Sequence, residues 1–278
     1  MTRLQELTAA PGRLTLGEVP EGFDALVIAD IARACHANQE GMVGHVARDD
    51  ARMAALAEAL AFFAPDIEVE LFPAWDCLPY DRVSPNGDIS ARRMATLSRL
   101  AARLETGGDK PLVVLLTVNG ALQRVPARGT VGAAAWSAHV GNRVDLDGLT
   151  AYLAANGYNR TGTVRERGEF AVRGGIVDIF PPGFELPLRL DMFGDTLDAV
   201  RSFDPESQRT VGQLSGVDLV PAGEIHLDEN TIRRFRAGYV AALGAVNDGD
   251  PLYAAVSEGR KHAGMEHWLP LFHEKLET

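Results

Sequence analysis

The spacing of apolar positions changes twice along this chain. In residues 1–124 it alternates between helical and extended repeats. Residues 25–35, "ALVIADIARAC", read as a helix, and residues 42–47, "MVGHVA", as a strand. Asp49 or Asp50 then caps a helix with Met53, Leu56, Leu60 and Phe63 on one face, stopped near Pro65. Residues 67–72, "IEVELF", alternate as a strand does, and the proline-punctuated residues 72–88 are mostly loop. Ser90 caps a further helix whose stripe is Met94, Leu97, Ala101 and Leu104, and residues 111–118, "PLVVLLTV", form a buried strand. Helices alternating with strands predict a mainly parallel sheet covered on both faces.

Residues 125–217 have a different texture. One helix is expected in "DLDGLTAYLAANGY", ending at Gly157 in a glycine C-cap position. It is followed by "EFAVRGGIVDIF", "LPLRLDMF" and "TLDAVRSF". In the second of these, Leu186, Leu188, Leu190 and Met192 share one face, while Arg189 and Asp191 point the other way. Gly194-Asp195 suits a tight hairpin turn. This stretch is an antiparallel α+β segment, a different domain from the first. The last part opens with short strands and a helix around "ENTIRRFRAGYVAALGA".

Composition narrows the function classes. The chain has 278 residues, 46% hydrophobic and 23% charged, enough for two compact domains. Its longest apolar run, residues 112–118, is far short of the roughly 18 residues of a membrane span. The opening "MTRLQELTAAPGRL" lacks the apolar core of a secretion signal, and Cys35 and Cys77 lack metal or redox spacing. A cytoplasmic location with reduced thiols is expected. A net charge of −11 argues against a strong duplex-DNA binder, though not against a local basic patch.

Candidate chemistry is sparse. In "GEVPEGFD", residues 17–24, Gly17 and Gly22 have the spacing of a phosphate loop, G-x-x-x-x-G-K-[ST]. Phe23 and Asp24 stand where the lysine and the hydroxyl belong. Phe23 brings no charge to a phosphate, and Asp24 would repel it. On spacing alone the loop is either a chance pair of glycines or a lost nucleotide site. No lysine precedes Lys110, so residues 1–109 hold no complete phosphate loop. The histidines form no H-x-x-x-H pair and no cluster with cysteine, no metal site is expected, and no G-x-S-x-G is present. His262, His267 and His273 read as solvated or capping residues, and no catalytic constellation emerges.

Arg160, Arg165, Arg167 and Arg173 fall within fourteen residues, close to Phe170. They read as a solvated strand face with charge pairs, as a protein-docking surface in which arginine beside an aromatic is common hot-spot chemistry, or as a nucleic-acid contact. Glu166 and Glu169 weaken the last reading.

Several stretches resemble a known family. "FPAWDCLPYDRVSPNGDISARRMATLSRL" (72–100) is similar to a segment of the excision-nuclease protein UvrB, and closer to the bacterial transcription-repair coupling factors (the Mfd family). "GEFAVRGGIVDIFPPGFELPLRLDMFGDTLDAVRSFDPESQRT" (168–210) resembles the second domain common to both. "TVNGALQRVP" (117–126) and "GMEHWLPLF" (264–272) resemble the coupling factors as well. UvrB carries an intact phosphate loop and a tyrosine-rich DNA-gripping hairpin after its "LPYD"-like segment. Here the loop is altered, and "LPYDRVSPNGDISARRM" runs straight into the helix.

The resemblance implies a degenerate P-loop NTPase-like α/β domain (1–124), an inserted UvrB-like α+β domain (125–217) and a return segment (218–278). In that setting "GEVPEGFD" is the remnant of a nucleotide site. The implied partner is the excision-nuclease protein UvrA, bound through the second domain. The same module is implied to restrain an ATP- and Mg-dependent DNA-translocating motor beyond residue 278, so the chain is expected to be an amino-terminal portion. RNA polymerase and DNA would be engaged by that remainder. By position, Arg160 and Arg173 match arginines of UvrB that serve its contact with UvrA, with Arg165 and Phe170 beside them; a third arginine falls on Ala171 here. The rival readings are a stand-alone α/β nucleotide-binding enzyme with an atypical loop, and a DNA-binding module.

Overall fold

In a computed structural model of the chain, residues 12–277 are described apart from 21, 39–40, 79–80 and 245–248. Residues 1–11, which bear most of the reading against a secretion signal, lie outside them. The described chain falls into two compact units, one within Met1–Ala74 and Ala102–Gln123, the other within Trp75–Ala101 and Arg124–Thr278. No helix among the described residues is long and apolar enough to cross a membrane.

The first unit runs α1 (Phe23–Ala37), β1 (Val43–Ala47), α2 (Asp50–Phe63) and β2 (Glu68–Phe72). Helix α3 (Gly87–Thr106) contributes only residues 102–106 to this unit; β3 (Leu112–Thr117) and α4 (Val118–Leu122) follow. The strands form a parallel sheet of order β1-β3-β2. Val113 and Leu115 face a core made with Ala25, Ile28, Met53, Leu56 and Leu60 of α1 and α2; Leu112 and Val114, alternating to the other side, are buried too. Burial on both faces is what the unbroken apolar run of β3 requires.

Asp49, not Asp50, caps α2, accepting from the Arg52 backbone N–H at 2.8 Å. Phe63, expected on the buried face, is half exposed; Met53, Leu56 and Leu60 already fill it, and Phe62 and Phe63 stack edge to face at the helix end. Ser90 is not a cap either. Asn86 receives the Asp88 N–H on its side chain and the Ser90 N–H on its carbonyl, so α3 starts at Gly87, four residues earlier than a Ser90 cap implies. On α3, Met94 and Ala101 are buried and Leu104 is exposed.

The second unit continues with β4 (Val125–Pro126), α5 (Arg128–Ala133), β5 (Trp136–His139) and α6 (Leu146–Ala155). Next come β6 (Asn159–Arg160), β7 (Glu169–Arg173), β8 (Ile176–Ile179), β9 (Leu188–Phe193), β10 (Thr196–Phe203), β11 (Thr210–Leu214) and β12 (Gly216–Leu219). It ends with α7 (Glu229–Leu243), α8 (Pro251–Ser257), a 3-10 turn (Met265–Trp268), α9 (Leu269–Phe272) and β13 (Leu276–Glu277). Strands β6 to β11 form one sheet in sequence order, antiparallel except for the parallel β6–β7 pair. Gly194, at φ 64°, makes the two-residue hairpin turn between β9 and β10. Leu149 and Leu153 of α6 pack on Val177, Ile179, Leu188 and Leu190. Gly157, at φ 88°, ends α6 in the left-handed region, and its open face lies against the Gly223 backbone, where a Cβ would stand 2.5 Å from the nitrogen.

The chain is thus mixed α/β with a parallel and an antiparallel sheet, but residues 218–278 group differently from the expectation. They join the antiparallel unit together with residues 75–101, not the first sheet. Fully buried Arg93 donates from Nε to Glu224 Oε1 at 2.6 Å, and Trp75 Nε1 donates to the same oxygen at 2.9 Å. His273 Nε2 meets the Glu224 carbonyl at 2.8 Å. Trp75 also packs on a core of Phe235, Val256, Met265, Leu269 and Phe272.

Removing one half of a buried pair leaves the other charge uncompensated. Glu224→Ala should therefore destabilise the second unit by about 3–5 kcal/mol. The Arg93→Met/Glu224→Met double variant should recover a substantial part of that loss. Urea unfolding monitored by tryptophan fluorescence measures both, and a Glu224→Ala midpoint equal to wild type would show that the pair carries no such load.

Candidate functional site

The arginines singled out in the second domain lie on two sides of its sheet. On β7, Phe170 and Val172 point to the core, and Ala171 and Arg173 to the outer face. Phe170 is 1% exposed and packs in the sheet core. It is therefore not a surface aromatic, contrary to its expected place in the docking surface. Arg160 pairs in register with Phe170 on β6, the edge strand, and so shares the core side of the sheet, although its own side chain is exposed. Arg173 lies on the opposite side. The two do not flank one face; they bracket the β6–β7 edge.

The outer face is organised by Asp178, a carboxylate with 0% exposure at the centre of β8. Arg189 reaches it bidentately, Nε to Oδ1 at 2.7 Å and Nη2 to Oδ2 at 2.9 Å, and Arg173 Nη2 donates to Oδ2 as well. The Arg189 guanidinium also lies 4.7 Å from the centre of the Phe203 ring. Its hydrogen bonds to Asp178, with the negative charge of Asp178 and Asp191 nearby, raise its pKa against the opposing effect of burial. Further along, Arg201 pairs with Asp191 at 3.0 Å. Arg173 has a task within the monomer, yet its side chain stays half exposed.

Arg165 and Arg167 diverge. Arg165 is exposed; its backbone N–H, with that of Glu166, donates to Glu169 Oε2 at 2.8 and 2.9 Å, while its guanidinium makes no ion pair among the described residues. Arg160 likewise makes none. Arg167 is structural: it donates to Asp88 Oδ1 at 2.9 Å and to the Phe184 carbonyl at 3.1 Å, and it covers the Phe180 ring. The sequence places Arg189 on the outer face, as found, but does not reveal that its partner Asp178 lies at the centre of that face. The cross-strand row Ala171, Asp178, Arg189, Arg201 was there to be found once register was assigned.

The glycine-spaced loop is open. Gly22, at φ 91°, precedes α1, no atom comes within 4 Å of a Cβ built on Gly17, and no strand precedes the loop among the described residues. Phe23 is half exposed, and the Asp24 carboxylate is held by Arg52 of α2. The strand–loop–helix cradle of a phosphate loop is not seen among the described residues in this part of the chain.

Other chemistry is mutually satisfied. A cavity of about 270 Å³ in the second unit is lined by Trp75, Ser84, Glu224, Lys261 and Glu266. Ser84 donates to Glu266 at 2.6 Å, and the Lys261 ammonium is taken up by the carbonyls of Gly157 and Tyr158 and by Asn159 Oδ1. Burial, with Asp76, Glu266 and Asp81 nearby, pushes the Cys77 thiol up, so it is no activated thiolate. His273 and His267 meet the backbone carbonyls of Glu224 and Val83 and are not free solvated groups. No group of three or more His, Cys, Asp or Glu side chains among the described residues could hold a metal.

Comparison with known proteins matches residues 137–224 to the UvrB interaction domain. Residues 137–224 are thus similar to that domain. It contains α6 and β6 to β12, hence the whole antiparallel sheet and its arginine row. Over most of its length the chain is also homologous to transcription-repair-coupling factors. It is 34% identical to that of Haemophilus influenzae over 264 residues, 95% of this chain and 22% of the relative. It is 35% identical to that of Escherichia coli over 257 residues (92% and 21%) and 36% identical to that of Myxococcus xanthus over 241 residues (82% and 20%). The chain spans about a fifth of the length of these relatives.

With Phe23 and the Asp24–Arg52 pair in place of the phosphate-handling residues, no productive ATP binding is expected. Isothermal titration with Mg·ATP should give only the heat of dilution. A micromolar dissociation constant that is abolished by substitution at Gly22 would overturn this.

Proposed function

We propose that this chain is the UvrA-docking module of a transcription-repair coupling factor, acting in transcription-coupled nucleotide excision repair. In the longer protein it also holds the motor inactive until RNA polymerase is engaged. The observation that carries the reading is the coincidence of the UvrB interaction domain match with the β6–β7 edge, which presents Arg160 and Arg173 on its strands and Arg165 on the loop between them. On a chain of net charge −11, these cations mark one region for an acidic partner surface. Arg173 is the best prepared of the three, because Asp178 restricts the guanidinium before a partner arrives and less side-chain freedom is lost on binding.

A stand-alone nucleotide-binding enzyme is the second reading. It needs a phosphate cradle, and the Asp24–Arg52 pair opposes one. Restraint of the motor predicts a faster ATPase when this segment is deleted from the longer protein. An unchanged rate would remove that part of the proposal.

Binding of purified UvrA to wild type, Arg160→Ala, Arg173→Ala and the double variant tests the docking surface, with thermal melts to confirm folding. Truncating a desolvated contact arginine should cost on the order of 2 kcal/mol, roughly thirtyfold in affinity. A merely solvated face would lose under about 0.5 kcal/mol. Because Asp178 keeps its bidentate bond from Arg189, the Arg173→Ala protein should stay folded. Unchanged affinity after charge reversal of both arginines would mean that the surface is wrongly assigned.

A further inference from the structure

We propose that Phe193 is the aromatic anchor of the partner surface, with Ile176 beside it and Arg173 as its charged flank; this rests on the UvrA-docking reading. Phe193 is 83% exposed, the most exposed large apolar side chain among the described residues. Its side of β9 follows from strand alternation. Leu188 and Leu190 are in the core and Met192 packs against it, so Arg189, Asp191 and Phe193 share the outer face.

Register brings the patch together. Arg173 stands opposite Ile176, and Ile176 opposite Asp191, two residues before Phe193. Two strand spacings separate β7 from β9, which puts Phe193 roughly 10–12 Å from Arg173, within one contact patch. The Gly174-Gly175 turn lies alongside: the Met192 N–H donates to the Gly175 carbonyl at 2.7 Å, and a Cβ on Gly175 would stand 2.9 Å from the Met192 carbonyl oxygen. The two hairpin ends are thereby fixed to each other, and Phe193 is displayed on a braced support.

Charge decides the kind of partner. The outer face carries Arg173, Arg189 and Arg201 against Asp178 and Asp191, and the nearby Asp195 is paired with Arg143 at 3.0 Å. That leaves the half-exposed Arg173 guanidinium beside two exposed apolar side chains on an acidic chain. Such a patch fits a protein surface with an apolar pocket rimmed by carboxylates. UvrA is the occupant the domain match supports.

The test measures UvrA affinity of the 278-residue chain as wild type, Phe193→Ala, Phe193→Trp and Arg173→Ala. Phe193→Ala should weaken binding at least tenfold with an unchanged melting temperature, and Phe193→Trp should retain most of the affinity. If Arg173→Ala weakens binding but Phe193→Ala stays within twofold of wild type, the anchor assignment is overturned and the docking reading stands. If neither variant changes affinity, or UvrA does not bind, both fall. Sedimentation velocity supplies the remaining outcome: a wild-type dimer that Phe193→Ala dissolves would make the patch a self-contact and overturn the proposal.

Discussion

The grouping of the second unit depends on one buried carboxylate. Glu224 is enclosed with Arg93, whose side chain is fully buried 131 residues earlier, and the same oxygen receives the Trp75 indole. An ion taken from water costs several kcal/mol, so the arrangement persists only because its donors arrive together. Arg93 comes from the first half of α3, Trp75 from the loop before it, and the Glu224 carbonyl is met by His273 near the carboxyl end. Each segment is thereby tied to the others. The aromatic stack of Phe235 on Phe272, with ring centres 4.8 Å apart, then supplies the apolar contact that such a polar centre lacks.

The same logic recurs on the sheet, with a different result. Asp178 is as buried as Arg93, but one of its two arginines reaches solvent. Arg189 satisfies it from the side and is itself covered by Phe203, whereas Arg173 satisfies it from the rim. A buried carboxylate with one internal and one half-exposed cation orients a surface charge without leaving the interior dependent on it. The sheet therefore combines a fixed guanidinium at Arg173 with unconstrained ones at Arg160 and Arg165.

Much of the local structure was legible because its signals are short-range. The alternation of "LRLDMF", the Gly194 turn, the cap before α2 and the glycine after α6 each depend on neighbours a few residues away. What failed were pairings set at long range. Arg93 lies on an amphipathic helix, and nothing near it in the sequence announces Glu224. The same missing contact hid the transfer of residues 75–101 and 218–278 into one unit. Phe170 failed for another reason. In "EFAVR" both strand parities carry apolar residues, so inside and outside could not be separated until β8 and β9 were laid beside it. Phe193 was overlooked because the end of an alternating apolar strand is ordinarily the rim of a core.

Ala171 shows how the two faces of this sheet constrain recognition. Where UvrB carries an arginine by resemblance, Ala171 is buried with Val164, Phe180 and Phe203 in a small cluster on the outer face. A guanidinium there would have to displace that apolar cover or compete with Arg189 for the Phe203 ring. With alanine, the centre of the face is closed, and charge on this face reaches solvent towards its margins, through Arg173 and Arg201. Affinity on such a face cannot come from a row of adjacent arginines. It has to be assembled from separated cations and from whatever apolar side chain the margin exposes, so contact at the rim of the hairpins follows from closure at the centre.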